Sequence, residues 1–163
     1  MLMLRPGSRR GLRRGTSATS WYDAGCSLEA GAPERAIAAY ERAIGGCPGF
    51  ADAHNNLGRL LHDAGALAAA ESSYRLAICA DGAVALYWFN LGVVVEDQGR
   101  RAEAVAAYEH ALGLDPAAAD AHYNLARLLE LAGRRTGDEV MLRRAVRHLL
   151  HYRSLTGRNA SAR

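Results

Sequence analysis

The chain has no lysine: all 20 of its basic residues are arginine. With heavy use of alanine and glycine, this points to the coding bias of a high-GC, bacterial genome. Cysteine is scarce, at three residues, and no Cys-x-x-Cys occurs. An odd count without metal-ligand spacing argues against a disulfide framework and a zinc site. Buried free thiols in a reducing, cytoplasmic setting are expected instead. No stretch approaches the roughly 18 apolar residues of a membrane span, so no membrane association is expected. Walker loop, dinucleotide fingerprint, His-Glu-x-x-His and Gly-x-Ser-x-Gly are all missing. The paired acids Glu96 and Asp97 are adjacent, so on a helix they diverge by about 100° and form no acid–base pair. His148 and His151 lie three apart, but no second ligand pair accompanies them. An exposed basic helix is preferred there over a metal site. No cofactor, no metal and no enzymatic activity are expected.

Charge is unevenly spread. Residues 1–20 hold five Arg and no acid, residues 21–130 seven Arg and 15 acids, and residues 131–163 eight Arg and two acids. The net +3 therefore hides an acidic body between basic ends. Nucleic-acid binding by the body is disfavoured, and only the arginine-rich start leaves it open. Residues 1–16 carry Pro6 and several Gly, with no apolar run of the secretory type. They are read as a disordered arm, or as a doubtful start of translation, and residues 155–163 as a flexible tail.

The intervening chain repeats itself every 34 residues. Four copies are delimited as 17–50, 51–84, 85–118 and 119–154. The third carries Trp88, Leu91, Gly92 and Val95, then Ala104, Tyr108, Ala111 and Pro116. The second carries His54, Leu57, Gly58 and Leu61, then Ala70, Tyr74 and Ala77. The first is weaker in its opening half, with Ser20, Asp23, Ala24 and Ser27, then Ala36, Tyr40, Ala43 and Pro48. The fourth opens with His122, Leu125, Ala126 and Leu129, and Gly133 is read as its break. An insertion near 134–140 follows, where Thr136 or Asp138 is placed to cap a last helix ending near 154.

This pattern resembles the tetratricopeptide repeat family, whose Trp-x2-Leu-Gly-x2-Tyr … Ala-x3-Phe … Pro signature the third copy nearly meets. The resemblance implies an all-α, right-handed solenoid of antiparallel helix pairs. Gly58 and Gly92 would admit the second helix closely, and Gly65 and Gly99 would break the chain between helices. One pair buries too little alone, so stacking supplies the core. The last helix has Val140, Met141, Ala145, Leu149 and Tyr152 on one side, with Arg143, Arg144, Arg147, His148 and His151 mostly on the other. That suits a terminal cap with a solvated outer face, or a basic docking face.

On each first helix, the face opposite the signature residues lines the concave groove of such a solenoid. Asn recurs there as Asn56, Asn90 and Asn124, with Tyr22 in the first copy. Asn is a mediocre helix former, so propensity does not explain it. Its amide is the complement of a peptide bond. The resemblance extends to the tetratricopeptide superhelix of O-GlcNAc transferase, which is similar in carrying an asparagine ladder at the matching place. The competing reading is that Asn braces the neighbouring helix. Other groove residues are Trp21, Asn55, Arg59, Phe89, Tyr123 and Arg127. Phe89 and Tyr123 suit apolar side chains and the arginines acidic ones. Without Lys, a carboxylate clamp of the chaperone-binding type is not expected. The expected role is binding a protein or peptide segment in the groove. Alternatives are a regulatory or targeting domain of a larger bacterial regulator or enzyme, and a self-associating scaffold.

Overall fold

The computed structural model describes residues 17–160, with side chains through residue 157. The expected arm at 1–16 and the final residues 161–163 lie outside the described residues. Eight helices follow one another: α1 (Ala18–Leu28), α2 (Pro33–Gly46), α3 (Ala51–Asp63), α4 (Leu67–Ala80), α5 (Ala85–Asp97), α6 (Arg101–Leu114), α7 (Ala119–Thr136) and α8 (Glu139–Ala160). Each packs chiefly on the helix before it and the helix after it, so the fold is an all-α superhelix of stacked pairs. None of these helices is long and apolar enough to cross a membrane.

The spacing of small residues decides how closely each pair approaches. A Cβ built on Gly58 would sit 2.9 Å from the Tyr74 ring, and one on Gly92 would sit 2.6 Å from the Tyr108 ring. Only a residue without a side chain lets the tyrosine lie flat on the first helix. Ala70 and Ala104, both 0% exposed, keep the second helix equally close. Gly65 and Gly99 adopt φ of 78° and 80°, the left-handed conformation that closes the turns after α3 and α5. The core forms one cluster around Tyr40, Leu57 and Leu60 and another around Tyr74, Tyr108, Leu91 and Leu125. Leu61 packs on both.

The first pair corrects the sequence reading. Gly25, not Ala24, faces Tyr40, with a built Cβ 2.6 Å from the ring. From Gly to Tyr the connection is one residue shorter than in the next two pairs, so a fixed period slips by one. On the observed register Trp21, rather than Ser20, aligns with His54, Trp88 and His122. Asp23, rather than Tyr22, aligns with the asparagines. The first copy is thus less degenerate than the strict period suggests.

The signature ring has a defined task. His54 Nε2–H donates to the Pro48 carbonyl at 2.8 Å, Trp88 Nε1–H to that of Gly82 at 2.9 Å, and His122 Nε2–H to that of Pro116 at 3.0 Å. A carbonyl only accepts, which fixes both histidines as donors at that nitrogen. His and Trp are interchangeable here because each offers a ring N–H to the carbonyl six residues back.

The fourth pair departs from the others. α7 runs straight through Gly133, where the pattern predicts a break, and stops at Gly137 with φ 72°. A helical glycine costs only about 1 kcal/mol relative to alanine, and Gly133 is needed for space, since a Cβ would meet Asp138 O and the Leu142 side chain at 3.0 Å. Asp138 caps α8, its Oδ1 accepting from the N–H of Val140 at 2.8 Å and of Met141 at 3.2 Å. α8 continues to Ala160, so residues 155–160 are helical rather than tail. Its inner side is also rotated from the expected one. Ala145 is buried, but Val140 is 64% exposed and His148 turns inward onto His122. All three cysteines, Cys26, Cys47 and Cys79, are exposed rather than buried. Cys26 follows Gly25 at the edge of the packed face of α1, where its Sγ accepts from the Tyr40 hydroxyl at 3.3 Å, and Cys47 and Cys79 sit at second-helix ends.

Candidate functional site in the first-helix groove

The groove-facing asparagines are engaged with the protein itself to unequal degrees. Asn56 Nδ2 donates to the hydroxyls of Tyr22 and Tyr40, each at 3.3 Å, and its carbonyl accepts from Asn55 at 3.2 Å. Asn55 is only 6% exposed, and its carbonyl accepts from Asn90 at 2.8 Å. Asn124 Nδ2 donates to the Tyr108 hydroxyl at 3.4 Å. An amide has two N–H donors and a carbonyl with two lone pairs. Asn56 has both N–H donors and one carbonyl lone pair engaged inside the fold. Asn90 and Asn124 each retain a carbonyl and one N–H with no hydrogen bond among the described residues.

A four-residue arrangement recurs where Asn meets Tyr. Tyr40 O–H donates to Glu29 at 2.5 Å, and Arg59 from the next pair reaches the same carboxylate at 2.5 Å. Tyr108 O–H donates to Glu96 at 3.0 Å, and Arg127 from the next pair binds that carboxylate. Tyrosine, carboxylate, asparagine and arginine thus tie the first pair to the second and the third to the fourth. Burial, followed by the hydrogen bonds to Cys26 and Glu29, holds the Tyr40 hydroxyl above its ordinary range. Burial and then the Glu96 charge do the same for Tyr108. Both therefore stay protonated and donate. The arginines expected to face an acidic ligand are already paired.

The middle interface is wired differently. His62 stands where Glu96 does and pairs with Asp97 at 2.6 Å, and Val93 stands in place of the arginine. The Tyr74 hydroxyl makes no hydrogen bond among the described residues, and burial pushes it up to about 12. Tyr87 O–H donates to Asp52 at 2.5 Å across the same interface. With Asp63, Asp97, Asp120 and Glu130 on this face as well, the groove is acidic.

The aromatic residues form a row on the observed register: Tyr22, Phe89 and Tyr123, interrupted by Asn55. Phe89 is half-buried against Tyr108, with ring centroids 5.7 Å apart. Tyr123 is 46% exposed and lies 5.3 Å from Tyr152 of α8. Trp21 leaves this row: it belongs to the signature position and lies under the Arg42 guanidinium, 4.5 Å away. Sequence reasoning missed Glu29, Tyr40 and Tyr108 as groove residues. Their spacing from the asparagines, 16 residues from Tyr40 to Asn56 and from Tyr108 to Asn124, was the available signal.

Two family models match the chain, a tetratricopeptide repeat model over residues 27–85 and a TPR repeat model over residues 97–133. The chain is a tetratricopeptide repeat protein. This tetratricopeptide solenoid resembles a crystal structure of MamA, with a TM-score of 0.79 at 20% identity over 90% of this chain and 82% of that one. MamA from Desulfovibrio magneticus RS-1, residue 41 to its end, gives 0.72 at 20% identity over 87% of this chain and 77% of that one. The first TPR of Spaghetti (RPAP3), bound to the HSP90 peptide SRMEEVD, gives 0.69 at 20% identity over 72% of this chain and 94% of that one. At these identities the likeness concerns the fold. No curated protein matches the chain in sequence.

Proposed function

We propose that this tetratricopeptide protein is an interaction module that holds an extended segment of a protein partner along the first-helix groove. The observation that carries the reading is the pair Asn90 and Asn124, one repeat apart, each keeping an uncommitted carbonyl and N–H. Together they complement the backbone of a strand-like segment with little regard to its sequence. Asn55 and Asn56 brace the floor beneath the segment. Phe89 and Tyr123, each one residue before a rung, receive apolar side chains. Arg59 and Arg127 are bound to Glu29 and Glu96, so they shape the groove rather than attract acids. Carboxylates outnumber arginines along the groove, and Asp120 keeps no ion pair among the described residues, which favours a neutral or basic segment. The peptide bound to the Spaghetti TPR supports peptide binding as a mode for this fold.

The test compares capture of partners by wild type and by Asn90→Ala/Asn124→Ala, with melting followed by circular dichroism. Loss of a partner at unchanged stability supports the groove, and retention of every partner refutes it. One observation favours a second reading, self-association: Val146 and Leu150 on α8 are 56% and 60% exposed. That face is where a further helix pair would stack. A solution mass above that of one chain, reduced by Val146→Glu/Leu150→Glu, would support it.

A further inference from the structure

The corner where α6 begins, α7 ends and α8 begins encloses a cavity of about 340 Å³. Its floor is Val105, Leu128, Leu129, Ala132 and Met141. Three arginines from three helices surround it: Arg101 of α6, Arg135 of α7 and Arg144 of α8. No carboxylate lines it. Arg144 is paired with Glu109, but Arg101 and Arg135 have no ion pair among the described residues.

The same corner one repeat earlier is filled. There Glu71 accepts from Gln98 Nε2 at 3.0 Å and from Arg100 at 2.7 Å, and Gln98 also reaches the Leu67 carbonyl at 3.4 Å. Burial alone would raise the Glu71 carboxyl, yet hydrogen bonds from Gln98, Arg75 and Arg100 hold it below its ordinary range, as a well-made polar plug does. In the last corner, 34 residues on, Glu71 is replaced by Val105 and Gln98 by Ala132. The extra length of α7 moves the start of α8 away, so nothing fills the gap. The plug has been exchanged for apolar walls with free cations on the rim.

We propose that this corner is a second docking site, separate from the groove, for an acidic–apolar peptide segment of a partner protein. A large apolar side chain enters the cavity, and carboxylates flanking it pair with Arg101 and Arg135. The volume lies within the roughly 300–1,000 Å³ typical of ligand pockets. Cations on separate helices match acids on both sides of an anchor better than one isolated charge. The chain's own arginine-rich first residues carry the wrong sign to compete.

The probe is a fluorescein-labelled peptide, Glu-Asp-Leu-Phe-Glu-Asp, titrated against the full chain by fluorescence anisotropy. Saturable binding is expected, weakened at least about tenfold, or about 1.4 kcal/mol, by Arg101→Glu/Arg135→Glu. Both positions are exposed, so the fold is retained. Val105→Glu/Ala132→Gln, which rebuilds the preceding plug, is expected to abolish binding. The charge-matched variant Arg147→Glu/Arg153→Glu, outside the cavity, is expected to bind as wild type does. No saturation, or equal weakening by both charge-reversal pairs, overturns the proposal. So does saturable binding of laurate without binding of the peptide, which would assign the cavity to a free apolar acid.

Discussion

Replacing Gly92 by alanine tests the packing argument most directly. The new Cβ would lie 2.6 Å from Tyr108 Cε1 and 2.7 Å from Cδ1. Carbon atoms prefer roughly 3.5–4.0 Å, so the ring must retreat by about 1 Å. Tyr108 is 0% exposed, and its hydroxyl is tied to Glu96 and Asn124. Retreat therefore strains two hydrogen bonds of about 1 kcal/mol each in addition to an overpacking cost of about 1–3 kcal/mol. Better helix propensity returns about 1 kcal/mol. The expected net loss is about 2–4 kcal/mol, which lowers Tm by roughly 2–4 °C per kcal/mol in a chain of this size. Gly113→Ala is the control. Gly113 is also helical, but a Cβ there has nothing within 4 Å, so a gain of up to about 1 kcal/mol is expected. Urea unfolding followed by far-ultraviolet circular dichroism gives both values. If Gly92→Ala matches or exceeds wild type, or if the two glycines respond with the same sign, the close-approach argument is wrong.

The first-pair register predicts that Gly25→Ala destabilises as Gly92→Ala does, while Ala24→Gly costs only the propensity difference of about 1 kcal/mol; urea midpoints separate them. Asp138→Ala should cost about 0.5–2 kcal/mol through the lost cap of α8, read from the same unfolding curves. Burial, and then the charges of His122, Arg144 and His151 against the weaker pull of Glu109, lower His148 from 6.5 to about 4. The unfolded chain thus binds the extra proton first, so stability is full above pH 6.5 and falls as pH drops toward 4. His148→Gln should flatten that fall in a series of urea melts across the window. Three thiols should react with Ellman's reagent in the folded protein at rates close to those in urea, because Cys26, Cys47 and Cys79 are all exposed.

The repeat is legible in the sequence because stacking needs the same small and large residues at the same places in each pair. Gly58 with Tyr74 and Gly92 with Tyr108 announce the helix pairing by their spacing alone. The first copy slips out of alignment because its shortened connection sits next to two small residues, Ala24 and Gly25. Either satisfies a pattern that asks only for something small. Gly133 misleads for a related reason. A glycine that breaks a helix and one that makes room for Leu142 are the same letter, and only the neighbour across the gap tells them apart. The helical period puts the asparagines on the groove face, but how far each is committed depends on Tyr22, Tyr40, Asn55 and Tyr108, which come from other helices. The last corner is invisible in the sequence because its novelty is what Val105 and Ala132 replace, and that comparison has meaning only once Glu71 and Gln98 are known to form a plug.

The ring N–H of His54, Trp88 and His122 has a kinetic consequence. Each donates to a carbonyl only six residues earlier, across the joint between one pair and the next. Such a contact closes a very short loop, so little chain entropy is lost in making it. It can form before either pair has found its stacking partner, and it sets the angle at which the next helix leaves. Assembly then becomes extension from any formed unit, each joint aiming the next, with a rate governed by local contacts rather than by a search along the whole chain.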